Sequence, residues 1–224
     1  MTQFECEAIL FDLDGTLVDS TASVERCWRR WTARAGMAFE PVMAIAHGRP
    51  AAETLQKVAP HLNLAVESAW LEDAEVADAQ TVRVIDGAQA LLTSLPANRW
   101  GIVTSGTDRL ARARIYHAGL PLPYLLVTAD NVINGKPDPE PYLVGAQQMG
   151  LLPADCIVIE DSAAGVASAQ AAGMRVIAVA AAHDAVGLET ADLVIAHLRD
   201  LRVTPSLNRS GRMMVWASDS ANHH

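Results

Sequence analysis

The sequence has few cysteines, an excess of acidic over basic side chains, and no long apolar run. Its three cysteines, Cys6, Cys27 and Cys156, are odd in number and lack the spacing of a metal site. Reduced thiols in a cytoplasmic protein are the simplest explanation of this content. The net charge is −9, which argues against general binding to nucleic acids or to a membrane surface.

Signals that would direct, anchor or multimerise the chain are also missing. The N-terminal residues are acidic and lead straight into an apolar strand, without the pattern of a signal peptide. No apolar run reaches the ~20 residues that a membrane-spanning helix needs. There is no heptad pattern, so we expect a monomer by default.

Half of the residues are hydrophobic, and their spacing predicts an α/β fold. Short apolar, β-branched runs alternate with helical patterns, as in βαβ units with a parallel sheet. The expected architecture is a Rossmann-like parallel sheet with helices around it. The predicted strands are 8–11, 101–104, 125–128, 156–159, 175–179 and 193–196. The predicted helices between them are 86–95, 107–118, 139–149 and 162–172.

The interval 20–85 breaks this alternation, because it shows helical patterns only. Val24, Trp28, Trp31 and Ala35 form an apolar stripe on a helix that ends at Gly36. Further helices are expected at 51–58 and 66–79. We therefore predict a core formed by 1–19 and 86–204, with 20–85 inserted as a helical cap over the end of the first strand. The segment 205–224 is expected to complete a hairpin and end in a loose tail.

Two carboxylates mark the end of the first predicted strand, in Asp12-Leu13-Asp14-Gly15-Thr16. Strand side chains alternate, so Asp12 and Asp14 point to the same side, and Gly15 lets the chain turn away. Like charges held this close need a cation or a proton between them. The pair suits a Mg²⁺ site in which one carboxylate is a nucleophile and the other an acid and base.

Three more polar segments follow predicted strands or lie in the loops between them. They are Thr104-Ser105-Gly106, Lys136 in the loop 134–139, and Glu160-Asp161. In an open parallel sheet these strand ends meet in one crevice.

Together these groups predict a phosphate site beside a metal site. Thr104, Ser105 and Gly106 offer hydrogen-bond donors to a phosphate, and Lys136 offsets part of the acidic charge. We expect Asp12, Asp161 and the backbone carbonyl of Asp14 to bind Mg²⁺. Glu160 is expected to act on the metal through water.

The four segments, in this order, resemble the motifs of the haloacid dehalogenase superfamily of phosphotransferases. The correspondence covers about residues 4–203 and matches DxDGT, the Val103-Thr104-Ser105 motif, Gly135-Lys136-Pro137 and Glu160-Asp161. The resemblance implies that Asp12 attacks phosphorus and becomes an aspartyl phosphate. It also implies that Asp14 protonates the leaving oxygen and then deprotonates the hydrolytic water. The helical insert would be the small cap of this family, which closes over small substrates.

Within the superfamily, the chain is most similar to sugar and polyol phosphatases that act on hexose, 2-deoxyglucose 6- or glycerol phosphates. This similarity makes His47, Gly48, Arg49 and Glu53 of the cap, with Ser105 and Gly106 of the core, candidate substrate-binding residues. His47 and Arg49 are equally explained as solvated loop residues. The segment Ala111-Arg112-Ala113-Arg114 matches the same group but is expected to be helix surface.

Two other functions fit parts of the pattern. A sugar phosphomutase resembling β-phosphoglucomutase would have to hold a second phosphate in the cap, and Arg49 is the one obvious cation in the loop of the cap that resembles a specificity loop. A signalling receiver domain also uses an acidic pocket and a lysine, but its phosphoacceptor follows a middle strand and no helical insert interrupts it. The sequence therefore favours an enzyme that hydrolyses a small phosphorylated metabolite, a phosphoric monoester hydrolase.

Overall fold

The computed structural model describes residues 2–46, 50–180, 187–206 and 211–217 of the chain. The predicted contacts His47, Gly48 and Arg49, and the predicted tail from 218 onward, lie outside these residues. Within the described part, no helix combines the length and the apolar character needed to cross a membrane.

A parallel sheet forms the centre of the fold. In the described part of the chain it has six strands in the order β6-β5-β2-β7-β8-β9. In chain order these are β2 (Ala8–Phe11), β5 (Trp100–Val103), β6 (Leu125–Val127), β7 (Cys156–Glu160), β8 (Arg175–Val179) and β9 (Leu193–Ile195). The α/β fold with a Rossmann-like parallel sheet, predicted from the alternating runs, is confirmed.

Helices cover both faces of this sheet. They are α5 (Ala88–Ser94), α6 (Asp108–His117), α7 (Glu140–Gln148) and α8 (Ala163–Ala171). Because side chains alternate along a strand, Ile9 and Phe11 of β2 join one buried apolar cluster while Ala8 and Leu10 join another. A strand that is apolar on both sides needs helices on both faces of the sheet, and β2 has them; it lies between β5 and β7.

The inserted segment contains α1 (Thr21–Ala35), α2 (Phe39–Ala46), α3 (Ala51–Val58) and α4 (Leu64–Asp78). Trp28 and Trp31 pack edge to face with ring centroids 5.5 Å apart, inside an apolar cluster of the insert's own. The sequence did not predict α2, whose eight residues show too little periodicity, and Gly36 ends α1 in a left-handed conformation (φ 67°).

Two short strands join the insert to the core. β3 (Val18–Asp19) pairs antiparallel with β4 (Arg83–Val84). The prediction that the interval 20–85 contains helices only is therefore wrong at β4. Two-residue strands carry no periodic signal, and their pairing across some 65 residues comes from tertiary structure.

The two ends of the described chain share a second sheet. β1 (Thr2–Cys6) pairs antiparallel with β11 (Met213–Ala217), which also pairs with β10 (Leu201–Pro205). The segment predicted as a separate C-terminal hairpin is therefore joined to the N-terminus. Neither β1 nor this pairing was predicted, because contacts between distant segments leave no local pattern in the sequence.

Candidate active site

The predicted site residues follow three adjacent strands of the parallel sheet. Asp12 comes directly after β2, Thr104 after β5, and Asp161 after β7. Because β5, β2 and β7 are neighbours, their carboxyl ends bring these side chains to one edge of the sheet. This edge is the usual position of a ligand site in an open α/β sheet.

Lys136 connects the strand ends. Its ammonium donates hydrogen bonds to Asp12 Oδ1 (2.6 Å), Glu160 Oε1 (2.7 Å) and the carbonyl oxygen of Val103 (3.0 Å). The side chain is only 2% exposed, although most lysines lie in solvent. Burial alone would lower the pKa of Lys136, but Asp12 and Glu160 outweigh burial and hold it well above its ordinary value. Lys136 is therefore a fixed positive charge.

Three carboxylates surround this charge. Oxygens of Asp12, Glu160 and Asp161 all lie within 4.8 Å of one another. Burial raises the pKa of Asp12 to about 8; Lys136 lowers it, while Glu160 and Asp14 raise it further. Burial also raises the pKa of Asp161 well above its ordinary value, with Glu160 and Asp12 adding to the effect. One lysine does not neutralise this cluster, which holds protons unless a cation replaces them.

Three carboxylates supply the hard oxygen donors that Mg²⁺ prefers. The turn after Asp12 leaves no room for a side chain at position 15. A Cβ on Gly15 would lie 1.8 Å from Asp161 Oδ2, and the residue has φ 88°. Glycine is therefore required for Asp161 to approach the Asp12 turn this closely.

Glu160 uses both of its oxygens for hydrogen bonds inside the fold. Oε1 accepts from Lys136 and from the Tyr142 hydroxyl. Oε2 accepts from the backbone N–H groups of Asp161 and Ser162 and from the Ser162 hydroxyl. The residue is fully buried. This arrangement fixes the loop that carries Asp161. The predicted role of Glu160, contact with a metal through water, stays a prediction.

Asp14 is bound by a residue that the sequence placed elsewhere. Its Oδ2 accepts a hydrogen bond of 2.6 Å from Arg114 on α6, whereas Arg114 was expected on the helix surface. The Arg114 side chain is 5% exposed and also lies 3.6 Å from Glu75 Oε2 on α4. That expectation was wrong for Arg114. A signal was present, because Arg114 lies four residues after Leu110 and three after Ala111, on the same buried helix face as Ile115.

A cavity of about 220 Å³ opens beside Lys136 and Thr104. Ser105 and Gly135 line it from the core, and Pro50 and Glu53 line it from the insert. Gly106, also predicted to bind substrate, is not among the residues that line the cavity; its N–H donates to Thr104 Oγ1 at 3.1 Å. Core and insert residues predicted to bind substrate thus border the same space. A larger open groove of about 720 Å³ lies along α5. None of the residues predicted to be catalytic, to bind substrate or to bind metal lines it.

Comparison with known proteins places these features in a family. The family model for haloacid dehalogenase-like hydrolases matches residues 6–173. The chain belongs to this hydrolase family. The resemblance inferred from the four motifs is confirmed, and so is the prediction of an enzyme.

Relatives in the family agree with this assignment. Hexitol phosphatase A of Escherichia coli K12 is 45% identical over 208 residues, covering 91% of this chain and 96% of its own. Glycerol-1-phosphate phosphohydrolase 2 of Saccharomyces cerevisiae is 30% identical, with 88% and 84% covered. The predicted class, a phosphoric monoester hydrolase, is consistent with both names.

Solved structures confirm the fold. The β-phosphoglucomutase of Clostridium difficile superposes with a TM-score of 0.78 over 88% of this chain and 93% of its own, at 22% identity. At that identity the likeness concerns the fold alone.

Proposed function

We propose that this enzyme hydrolyses small sugar or polyol phosphate monoesters through an aspartyl-phosphate intermediate. The observation that carries the proposal is the buried contact of Lys136 with Asp12, next to two further carboxylates and a cavity. A lysine held this way restrains one oxygen of Asp12 and leaves the other available. The names of the relatives, hexitol and glycerol phosphatases, support the substrate class.

In the first step, Asp12 attacks phosphorus and the bond from phosphorus to the substrate oxygen breaks. Asp14 gives its proton to that oxygen, so the sugar or polyol leaves as an alcohol. Thr104 and Ser105 at the end of β5, with Lys136, border the space for the transferred phosphoryl group. In the second step water attacks the phosphoryl group and Asp14 takes the water proton. The bond between Asp12 and phosphorus breaks, inorganic phosphate leaves, and the Asp12 carboxylate is restored.

We propose Mg²⁺ as the cofactor, held by Asp12, Asp161 and the backbone carbonyl of Asp14. The close carboxylates with raised pKa values fit a divalent cation. When bound, Mg²⁺ supplies positive charge that stabilises the phosphoryl oxygens and offsets the repulsion among the carboxylates.

The insert would contribute specificity. Glu53 lies close to the lysine loop, with its Oε1 3.4 Å from the position a Cβ would take on Gly135. A carboxylate at this place can accept hydrogen bonds from the hydroxyl groups of a polyol. We propose Glu53, with His47, Gly48 and Arg49 of the neighbouring loop, as contacts of the leaving group. A monomeric state and a cytoplasmic location remain predictions from the sequence.

The test is phosphate release from hexitol, hexose and glycerol phosphates, with Mg²⁺ and with a chelator. We expect hydrolysis that the chelator abolishes and that Asp12→Asn lowers by at least about 10³-fold, because the nucleophile is lost. Asp86→Asn, an exposed aspartate, is the matched control and should retain activity. Conversion of one sugar phosphate isomer into another without phosphate release would instead indicate the mutase. An active Asp12→Asn enzyme would contradict the mechanism.

A further inference from the structure

Arg114 is a buried cation outside the motifs that define the site. It lies on α6, and its guanidinium contacts Asp14 Oδ2 at 2.6 Å and Glu75 Oε2 at 3.6 Å. Asp14 Oδ1 is buried and has no hydrogen-bond partner among the described residues. One oxygen of Asp14 is therefore fixed by a charged donor, while the other is left without a partner.

We propose that Arg114 is a positioning residue for Asp14, and that Glu75 of the helical insert fixes the guanidinium that does so. The inference rests on the proposed function, in which Asp14 exchanges protons with the leaving group and with water. A charge-assisted hydrogen bond to Oδ2 holds the carboxyl group in one orientation, with Oδ1 as the oxygen free for proton transfer.

Without Arg114, the carboxyl groups of Asp14 and Glu75 would have no cation between them. The Asp14 side chain is 26% exposed and the Glu75 side chain 9% exposed, so neither charge is well solvated. Without this charged donor, no side-chain hydrogen bond of the described residues would hold the Asp14 carboxyl group in its present orientation. A small displacement of a proton-transfer group is sufficient for a large loss of rate.

The contact also joins the core to the insert. Helix α4 of the insert directs three carboxylates to α6: Glu72 accepts from the Thr107 hydroxyl at 2.5 Å, Asp73 from Arg109 at 2.5 Å, and Glu75 faces Arg114. The Arg109 pair is exposed and contributes little to the free energy of folding. Of the three contacts, the one between Glu75 and Arg114 reaches Asp14 directly, so the position of α4 can affect Asp14 through it.

The test exploits the difference between leaving groups. An alkyl phosphate, such as a hexitol phosphate, needs a proton on its departing oxygen, whereas the aryl group of p-nitrophenyl phosphate leaves readily without one. The value of kcat/KM includes only steps up to release of the leaving group, so later hydrolysis of the intermediate does not affect it. We compare kcat/KM for both substrates in Arg114→Met, Arg114→Lys and Glu75→Gln.

For Arg114→Met we expect a loss of about 10²-fold on the alkyl phosphate and of only a few-fold on the aryl phosphate. Arg114→Lys should restore part of the alkyl activity, because the charge remains. Glu75→Gln should also lower the ratio of kcat/KM on the alkyl phosphate to kcat/KM on the aryl phosphate, but by less than Arg114→Met does. Arg112→Met removes an exposed arginine of the same helix, paired with Asp108, and should leave both values unchanged.

Equal losses on the two substrates, or a gain on the alkyl phosphate, would overturn the role of Arg114 while leaving the proposed function intact. Absence of hydrolysis by the unaltered enzyme would overturn both. If Arg114→Met does not fold, as judged by circular dichroism, Arg114→Lys and Glu75→Gln decide: an unchanged alkyl-to-aryl ratio in both contradicts the inference.

Discussion

Replacing Lys136 by methionine should destabilise the metal-free enzyme, and the size of the effect should depend on pH. Lys136 is one of two lysines in the chain, and it is 2% exposed between Asp12 and Glu160. Methionine fills a similar volume but leaves buried carboxylates without their cation. Removing one partner of a buried ion pair costs about 3–5 kcal/mol of the free energy of unfolding.

Protonation limits this loss at low pH. Burial raises the pKa of Asp12 to about 8 even with Lys136 present, so the carboxyl group is mostly neutral well below that pH. A neutral carboxyl has no charge that requires Lys136. Because Lys136 itself lowers the pKa of Asp12, Asp12 of Lys136→Met becomes charged only above about pH 8. We therefore expect the smaller loss near pH 5.5 and a loss that grows as the pH rises above about 8.

Urea unfolding with a chelator present, at about pH 8.5 and about pH 5.5, measures both values. Lys57→Met is the control, because Lys57 is exposed on α3, and it should change the free energy of unfolding by less than about 0.5 kcal/mol at either pH. A loss at Lys136 that is independent of pH would refute the reasoning, since it would show that the charge of Asp12 does not contribute to the cost.

Two more predictions concern the metal and the substrate. Because burial raises the pKa values of Asp12 and Asp161, Mg²⁺ must displace protons, and its affinity should fall by at least about tenfold per pH unit below about pH 8, which is the slope for one displaced proton. Calorimetry in buffers of different ionisation enthalpy measures the released protons, and an affinity independent of pH would contradict this. Glu53→Ala should lower kcat/KM for a hexitol phosphate by about tenfold while changing that for p-nitrophenyl phosphate by less than about twofold. Equal losses on both substrates would exclude a role for Glu53 in specificity.

The parts of the fold predicted from the sequence are those with a strong local pattern. β2 and β7 are apolar on both faces, so short runs of Ile, Leu and Val identify them and their polar ends. α1 was predicted from its tryptophan stripe and from Gly36 at its end. The positions of Asp12, Thr104, Lys136 and Asp161 then follow from the rule that ligands bind at the carboxyl ends of parallel strands.

The features that were missed depend on partners far away in the chain. β1 is a strand because it pairs with β11, and no pattern within five residues shows this. The helical spacing of Arg114 from Leu110 and Ala111 indicated a buried position, but a charge is tolerated there only because two carboxylates from other elements neutralise it. His47, Gly48 and Arg49 lie outside the described residues, so their contact with substrate stays a prediction.

The most direct test of the mechanism is to trap the phosphorylated enzyme. The enzyme is mixed with a hexitol phosphate radiolabelled at phosphorus, quenched in acid within milliseconds, and digested for mass spectrometry. The account predicts a phosphoryl group on the peptide that contains Asp12, lost in Asp12→Asn and retained in the control Asp86→Asn. Hydrolysis that proceeds without a label on that peptide, or with the label on another residue, would contradict it.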